Sequence, residues 1–390
     1  MQKKINYITS VLFAAILFGF AIAFFVLPDH SFSEQENRSL RTLPKLRFDT
    51  LISGDYASEI NDYFADQFPM RDSLVGLKGI AELALGKQEN NGILLGSGGQ
   101  LADRLFDIKR QAGDTVSDMD MFDPETIHAA GEGLARVEAS LSVPFDAFLV
   151  GRTVDVASSA FSYPSHISDA LLQQMKETAR DVSLIETVDI FRQKYDNGEY
   201  VYYKTDHHWT TLGAYYAYAE ILRTYGMEDD ILPIETFTRT TVSDAFYGTA
   251  WSAGGMKFVS PDSIELWTRG NEDMLAVTAD GRELDGLYSM GYLQRKDQYS
   301  VFLDGTHDVV TVRMRDGTER PTLLLLKDSF ANSVAPFLAQ HFDLVLLNLS
   351  STRSDFTNVT ALAEQYEADR VLLIYTLENV VTADKLSRFH

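Results

Sequence analysis

The chain has 390 residues, 45% hydrophobic and 23% charged, a globular composition with apolar material for one large domain or two smaller ones. It contains no cysteine, which excludes disulfides, thiol catalysis and cysteine metal sites. Its formal net charge of −22 makes it a poor candidate for electrostatic binding to nucleic acid or to an anionic membrane surface.

Residues 1–28 differ from everything that follows. Lys3 and Lys4 precede Ile8 to Leu27, a run of 20 residues without a charge, and about 20 apolar residues suffice for a helix to cross the hydrocarbon core. Lysines before the run and acids soon after it predict a cytoplasmic N-terminus and an exported body. A cleaved signal peptide is the rival, since such peptides look similar. The run is long for a signal peptide, and the bulky Phe24-Phe25-Val26-Leu27-Pro28 offers no small-x-small cleavage site. An uncleaved, single-pass anchor at the cell membrane is therefore expected, with the rest of the chain extracellular.

Residues 29–123 are expected to form a stalk and an N-terminal helical region. Asp29 to Asp49 reads as a polar arm. Tyr56 to Leu85 reads as helix, with Tyr56, Ile60, Tyr63, Phe64 and Phe68 near a 3.6 period, broken or kinked at Phe68-Pro69. Asn91 to Gly96 suggests a turn and a short strand. Asp103 to Phe122 carries no clear pattern.

From residue 124 to 390 an α/β domain is expected. Glu125–Leu141 reads as helix, Pro144–Val150 as strand, Ser168–Ala179 as helix and Val182–Phe191 as strand. Leu212–Tyr225 reads as a helix capped by Thr210 or Thr211. Residues 231–321 are rich in strand and turn signals (Ser263–Trp267, Leu275–Thr278, Val309–Met314) and suggest antiparallel structure inserted into, or packed on, the α/β body. The last seventy residues alternate strand and helix: Thr322–Leu326, Ser333–Gln340, Leu344–Leu349, Asn358–Tyr366, Val371–Tyr375. Continuous apolar strands in such alternation predict a parallel sheet with helices on both faces.

Two stretches carry candidate chemistry. The first is Lys204-Thr205-Asp206-His207-His208-Trp209-Thr210, which gathers an acid, two imidazoles and an indole in a chain with 8 histidines. A carboxylate beside an imidazole orients and charges a general base. In an extended loop, residues i and i+2 share a side, so Asp206 and His208 would act together and His207 would face away. Trp209 reads as core or pocket wall. The second stretch is Lys327-Asp328-Ser329-Phe330, where a buried strand ends and a helix is about to begin. Ligands and catalytic groups collect at the carboxyl ends of such strands, and nearby N–H groups can stabilise an oxyanion. Ser329 is the candidate nucleophile, and Asp328 is expected to hold the turn. A metal would need a third ligand beside Asp206 and His208, such as His307 or His341. No ligand spacing supports that, so no metal is assigned.

Taken singly, each stretch is a weak signal, and Lys327-Asp328-Ser329 alone reads as an ordinary polar turn. In this order, Thr205-Asp206-His207-His208-Trp209-Thr210 and Leu326-Lys327-Asp328-Ser329-Phe330-Ala331-Asn332 resemble the DHHW family and the related alginate O-acetyltransferase-like proteins of the SGNH-hydrolase superfamily. Glu36-Asn37-Arg38-Ser39-Leu40, Asp66 to Asp72, Tyr247-Gly248-Thr249 and Tyr299 to Gly305 are supporting segments, so the likeness runs from about Glu36 to Val380. The resemblance implies a three-layer SGNH-hydrolase-like fold, with Ser329 as nucleophile, His208 as base and Asp206 behind it. It also implies Gly305 as an oxyanion N–H donor, Asn332 as pocket lining and Arg353 as a substitute for a missing substrate-binding arginine. Lys327 stands where the superfamily has glycine, as fits the DHHW variant. No cofactor is implied.

The activity implied is transfer or hydrolysis of acetyl groups on the hydroxyls of a cell-surface polysaccharide, with a membrane-bound acyltransferase as possible donor. The alternative is a non-catalytic surface protein that keeps the fold to bind carbohydrate. An intact Asp206–His208–Ser329 set favours the enzyme.

Overall fold

The computed structural model describes residues 2–33, 38–104, 124–162, 165 and 167–390. Glu36 and Asn37, and the unpatterned stretch after Arg104 up to residue 123, lie outside them. The chain divides into two compact units, Met1–Asn91 with Ser252–Phe258, and Gly92–Trp251 with Val259–His390.

In the first unit, Gln2–Val26 is one helix, long and apolar enough to cross a membrane. Shorter helices follow at Phe48–Ser53, Asp55–Asp66 and Arg71–Ala84. The expected break falls at residues 67–70. Pro69 lacks an N–H for continuing the helix, and Met70 adopts a left-handed φ of 59°. Two supporting sequence segments meet at this corner. The Arg38 guanidinium donates to both Asp66 oxygens (3.0 and 2.5 Å), and the Arg41 N–H donates to Asp66 Oδ2 (2.8 Å). The hydrogen bonds from Arg38, outweighing burial, hold the Asp66 carboxyl below the usual carboxylate range.

The second unit is built on an eight-stranded sheet. Its strands in chain order are β1 (Phe145–Val150), β2 (Ser183–Ile185), β3 (Leu275–Ala279), β4 (Arg282–Glu283), β5 (Val309–Met314), β6 (Thr322–Lys327), β7 (Asp343–Asn348) and β8 (Arg370–Thr376). Across the sheet they run β4-β3-β5-β7-β6-β8-β1-β2. From β7 to β2 every pairing is parallel, and from β7 to β4 every pairing is antiparallel. β1 and β7 are buried at every residue and β6 at all but its first, whereas β5 alternates buried and partly exposed positions. That contrast is expected of parallel strands covered on both faces beside an antiparallel edge.

Alternate residues of the parallel strands enter two separate hydrophobic clusters. Phe148, Leu325, Leu346 and Ile374 pack with the helices Thr211–Thr224 and Ala331–Leu338. Leu149, Leu326, Val345 and Leu373 pack with Pro124–Ser140 and Ile167–Thr178. Thr210 caps the first of these helices, its hydroxyl accepting from the Gly213 N–H (3.2 Å).

Two expectations are corrected. Val182–Phe191 is not one strand, because only Ser183–Ile185 pairs and Val188–Asp196 is helical. Val188 and Phe191 are buried at i and i+3, a helical spacing that a short β-branched run conceals. In the β-rich region an isolated bridge joins Tyr288 to Phe302, and Thr238–Phe246 and Asp262–Thr268 pair apart from the main sheet. β3 and β5 join it and form its antiparallel side.

Candidate active site

Ser329 lies two residues beyond the end of β6, so its position is set by a strand paired on both sides, to β7 and β8. The turn after that strand is held from within. Asp328 accepts from the N–H groups of Phe330 (3.1 Å) and Thr376 (2.7 Å) and from Asn379 Nδ2 (2.9 Å). This is the turn-holding role expected of it. Burial pushes its carboxyl pKa up, against those bonds.

The acid–histidine stretch is a bend closed by a bridge between Tyr202 and Trp209. The chain is not extended here, as the i, i+2 argument assumed. Asp206 instead turns its carboxylate onto its own loop, where Oδ1 accepts from the His208 backbone N–H (3.0 Å) and from His208 Nδ1 (2.6 Å). A carboxylate only accepts, so Nδ1 carries the proton and Nε2 is free to accept. Ser329 Oγ lies 2.7 Å from Nε2. Asp206, His208 and Ser329 thus form one hydrogen-bonded chain.

Trp209 joins the two stretches. Its indole N–H donates to Ser333 Oγ (2.9 Å) and the Phe330 carbonyl (3.2 Å). It is fully buried, with Phe191 stacked on it and Phe330 edge-on. Asp262 supports the start of the bend, accepting from the Lys204 N–H and from both the N–H and the hydroxyl of Thr205 (2.9, 2.7 and 2.5 Å).

Charge is arranged to suit a neutral base beside an ionised acid. Burial opposes ionisation of Asp206. The neighbouring His207 and His208, the bond from His208 and that from the Thr249 N–H outweigh it, holding the carboxyl well below its usual range. Burial pushes His208 down to about 4, with His207 adding to the effect and Asp206 opposing it.

Three contributors from distant segments were not assigned a role from sequence. Thr249 donates its N–H (2.8 Å) and hydroxyl (3.1 Å) to Asp206 Oδ2. Gly248 lets that loop approach, since a Cβ there would stand 2.2 Å from Asp206 Cβ. Tyr299 lies flat on His208, ring centroids 3.8 Å apart and planes 11° apart, and its hydroxyl donates to the Ser329 carbonyl (3.3 Å). The Gly and Tyr in these segments were visible as family-like residues, but nothing local indicates which imidazole they meet.

The remaining candidates sit around this chain in different ways. His207 does not face away. Its ring lies 3.9 Å from that of His208, and its Nδ1 bonds to Thr249 Oγ1 (2.8 Å). Asn332 is buried and bridges two segments, accepting from Lys327 Nζ (2.7 Å) and donating to the Gly305 carbonyl (3.1 Å). The Gly305 N–H donates to the Phe302 carbonyl (3.2 Å). Arg353 is exposed and pairs with Asp308 (3.1 Å) and Asp280 (3.6 Å). Ligand atoms of Asp206, His207 and His208 lie within 4.8 Å of one another. All of them except His207 Nε2 are already engaged in the bonds above, so a cation would have to dismantle the Ser329 chain. His307 is held by Asp280 and Asp304, and His341 by Tyr218.

Comparison with known proteins follows the same lines. Residues 132–348, more than half of the chain, match the family model described as DHHW protein. No curated protein matches the sequence. Among solved structures, a DHHW family protein from Eubacterium siraeum is similar at a TM-score of 0.59 and 17% identity, covering 77% of this chain and 95% of that one. Bacillus cereus PatB1, solved with a sulfonyl adduct, is similar at a TM-score of 0.59 and 21% identity, covering 76% and 97%. At these identities the likeness is one of fold.

Proposed function

Because the chain belongs to the DHHW protein family, we propose that it is an exported, membrane-anchored serine acyltransferase or acetylesterase with a three-layer SGNH-hydrolase-like domain. Its substrate is an O-acetyl group on a cell-surface polysaccharide. Residues 1–28 serve as the anchor, 29–123 as stalk and helical region, and 124–390 as the catalytic domain. The observation that carries this reading is the 2.7 Å contact between His208 Nε2 and Ser329 Oγ, backed by the 2.6 Å contact to Asp206.

The chemistry follows from that chain. His208 takes the Ser329 proton as Oγ attacks an acetyl carbonyl, and Asp206 stabilises the imidazolium formed. The tetrahedral intermediate collapses by breaking the ester C–O bond, and the imidazolium protonates the departing alcohol. A second hydroxyl, from a sugar or from water, then gives its proton to His208 and attacks the acetyl-Ser329 carbonyl; the Oγ–acyl bond breaks, the acetyl group leaves on that oxygen, and the imidazolium returns its proton to Ser329 Oγ. The Ser329 N–H, which has no partner among the described residues, is assigned to the oxyanion. The Gly305 N–H joins it once released from the Phe302 carbonyl, while Asn332 positions that loop. Arg353 is the assigned substrate cation. Transfer needs a donor outside the cell, supplied by a membrane-bound acyltransferase partner.

Intact mass after incubation with an activated acetyl ester tests the reading, as does a sulfonyl reagent of the kind found on PatB1. One acetyl or sulfonyl group is expected on the wild type and none on Ser329→Ala. Ester turnover should fall on the order of 10⁴-fold in Ser329→Ala, in His208→Ala and in the double variant alike, because the residues act as one unit. Near-wild-type turnover in both single variants would transfer the case to the carbohydrate-binding alternative.

A further inference from the structure

Two helices of the first unit turn apolar side chains outward. In the helix Arg71–Ala84, Gly76 and Gly79 are buried while Leu77 and Ile80 are exposed, Leu77 at 62%. The helix Phe48–Ser53 has no buried residue, and Phe48 and Ile52 stand 78% and 71% exposed. A surface helix in water presents the opposite pattern.

Two observations identify what covers these faces. The first is depth. Phe20 of the N-terminal helix stacks on Phe68 at 5.2 Å, and Phe24 packs on Phe64 at 4.9 Å. Phe20 precedes the end of that helix, Val26, by six residues, or roughly 9 Å of rise. The corner bearing Phe64, Phe68 and the exposed Met70 is therefore held beside the apolar run and not beyond it. The second observation is charge. Residues 41–52 carry three exposed basic side chains, Arg41, Lys45 and Arg47, against one acid, Asp49, in a chain of net charge −22. Leu43, Leu46, Phe48 and Ile52 interleave with them. This stretch begins at the same corner, where the Arg41 N–H and carbonyl bond to Asp66 and Gln67.

The geometry points to a second membrane-contacting element. Residues 41–53 and 68–84 lie in the bilayer interface on the side where the N-terminal helix emerges, with the outward apolar faces at the acyl–headgroup boundary and Arg41, Lys45 and Arg47 on anionic lipid headgroups. The inference rests on Gln2–Val26 spanning the bilayer and is independent of the Ser329 chemistry. It also limits the exclusion drawn from net charge, because the acidic average hides a local basic and apolar segment.

The absence of cysteine allows a direct test on the full chain. Single cysteines replace Leu46, Met70 or Leu77, with Phe13→Cys as a label within the span and Gln173→Cys as a label on the α/β unit. Each variant carries an environment-sensitive fluorophore and is reconstituted in phosphatidylglycerol–phosphatidylcholine vesicles. Nitroxide-bearing lipid is expected to quench labels 13, 46, 70 and 77, with blue-shifted emission, and to spare label 173. Quenching of 46, 70 and 77 by aqueous iodide, with 13 still quenched by lipid, overturns the inference and leaves the span intact. Loss of lipid quenching at 13 as well overturns both. Replacing phosphatidylglycerol by phosphatidylcholine should weaken quenching at label 46. Unchanged quenching there would exclude the headgroup contact.

Discussion

His208 is buried between the Tyr299 and His207 rings, and that burial fixes when it can act as a base. Its pKa is pushed from an ordinary 6.5 down to about 4, so the imidazole is neutral across the physiological range. The acid limb of kcat/KM for ester turnover should accordingly fall with a midpoint near 4, not near 6.5, in a pH–rate series. Stability follows the same group with a definite sign. Below pH 6.5 the unfolded chain binds a proton that the folded chain refuses, so folding weakens as pH drops towards 4. A His208→Gln variant should lack that part of the loss when denaturant midpoints are compared between pH 7 and 4. Gly248 supplies a second residue-scale prediction. An alanine methyl would stand 2.4 Å from Asp206 Oδ2, so either the carboxylate or the loop must move and the Thr249 bonds are lost. Misplacement on the ångström scale costs roughly 10²-fold. Gly248→Ala should therefore lose about that much turnover while its circular dichroism stays native.

At the scale of elements, β6 ends in Lys327, a fully buried lysine whose ammonium donates to Asn332. Burial pushes its pKa from 10.5 down to about 8, with Asp328 opposing. Below pH 8 the folded chain bears the cost of a buried charge, and above 10.5 both states are neutral. The stability of the wild type relative to Lys327→Met should thus rise between pH 8 and 10.5, by on the order of 3 kcal/mol, in paired urea titrations. The neighbouring strands were legible in advance because β6, β7 and β8 are unbroken apolar runs, a pattern only burial on both faces allows. Ser329 was legible as a candidate for the same reason, as the first hydroxyl beyond such a run. The bend at Asp206 was not legible. A side chain that takes its own loop's N–H leaves no mark on residue spacing, so an extended segment looked equivalent. Thr249 and Tyr299 reach the site from 43 and 91 residues beyond Asp206 and His208 respectively, and such distances are closed by packing alone. The strand expected over Val182–Phe191 failed because the helical i, i+3 spacing of Val188 and Phe191 is a single pair, too short a signal to separate from the strand residues just before it.

For the whole molecule, the net charge of −22 offers a test of the proposed polysaccharide substrate. Every charged acceptor chain approaches through the summed field of the protein, and that field is repulsive to anions over about a Debye length. The length is about 30 Å at 0.01 M salt and about 8 Å at 0.15 M. At low salt an anionic polysaccharide is therefore held off by the body of the protein, whereas an uncharged one is not. Salt should accelerate acetyl transfer to a carboxylated polysaccharide and leave transfer to a neutral polysaccharide of similar length nearly unchanged. The measurement is the initial rate with each polymer across that range, using one small acetyl donor throughout. A small uncharged ester should show no salt response, which separates encounter from chemistry. If the anionic polymer is instead acetylated fastest at low salt, a local basic surface governs acceptor approach. The general charge of the chain would then have no part in choosing its substrate.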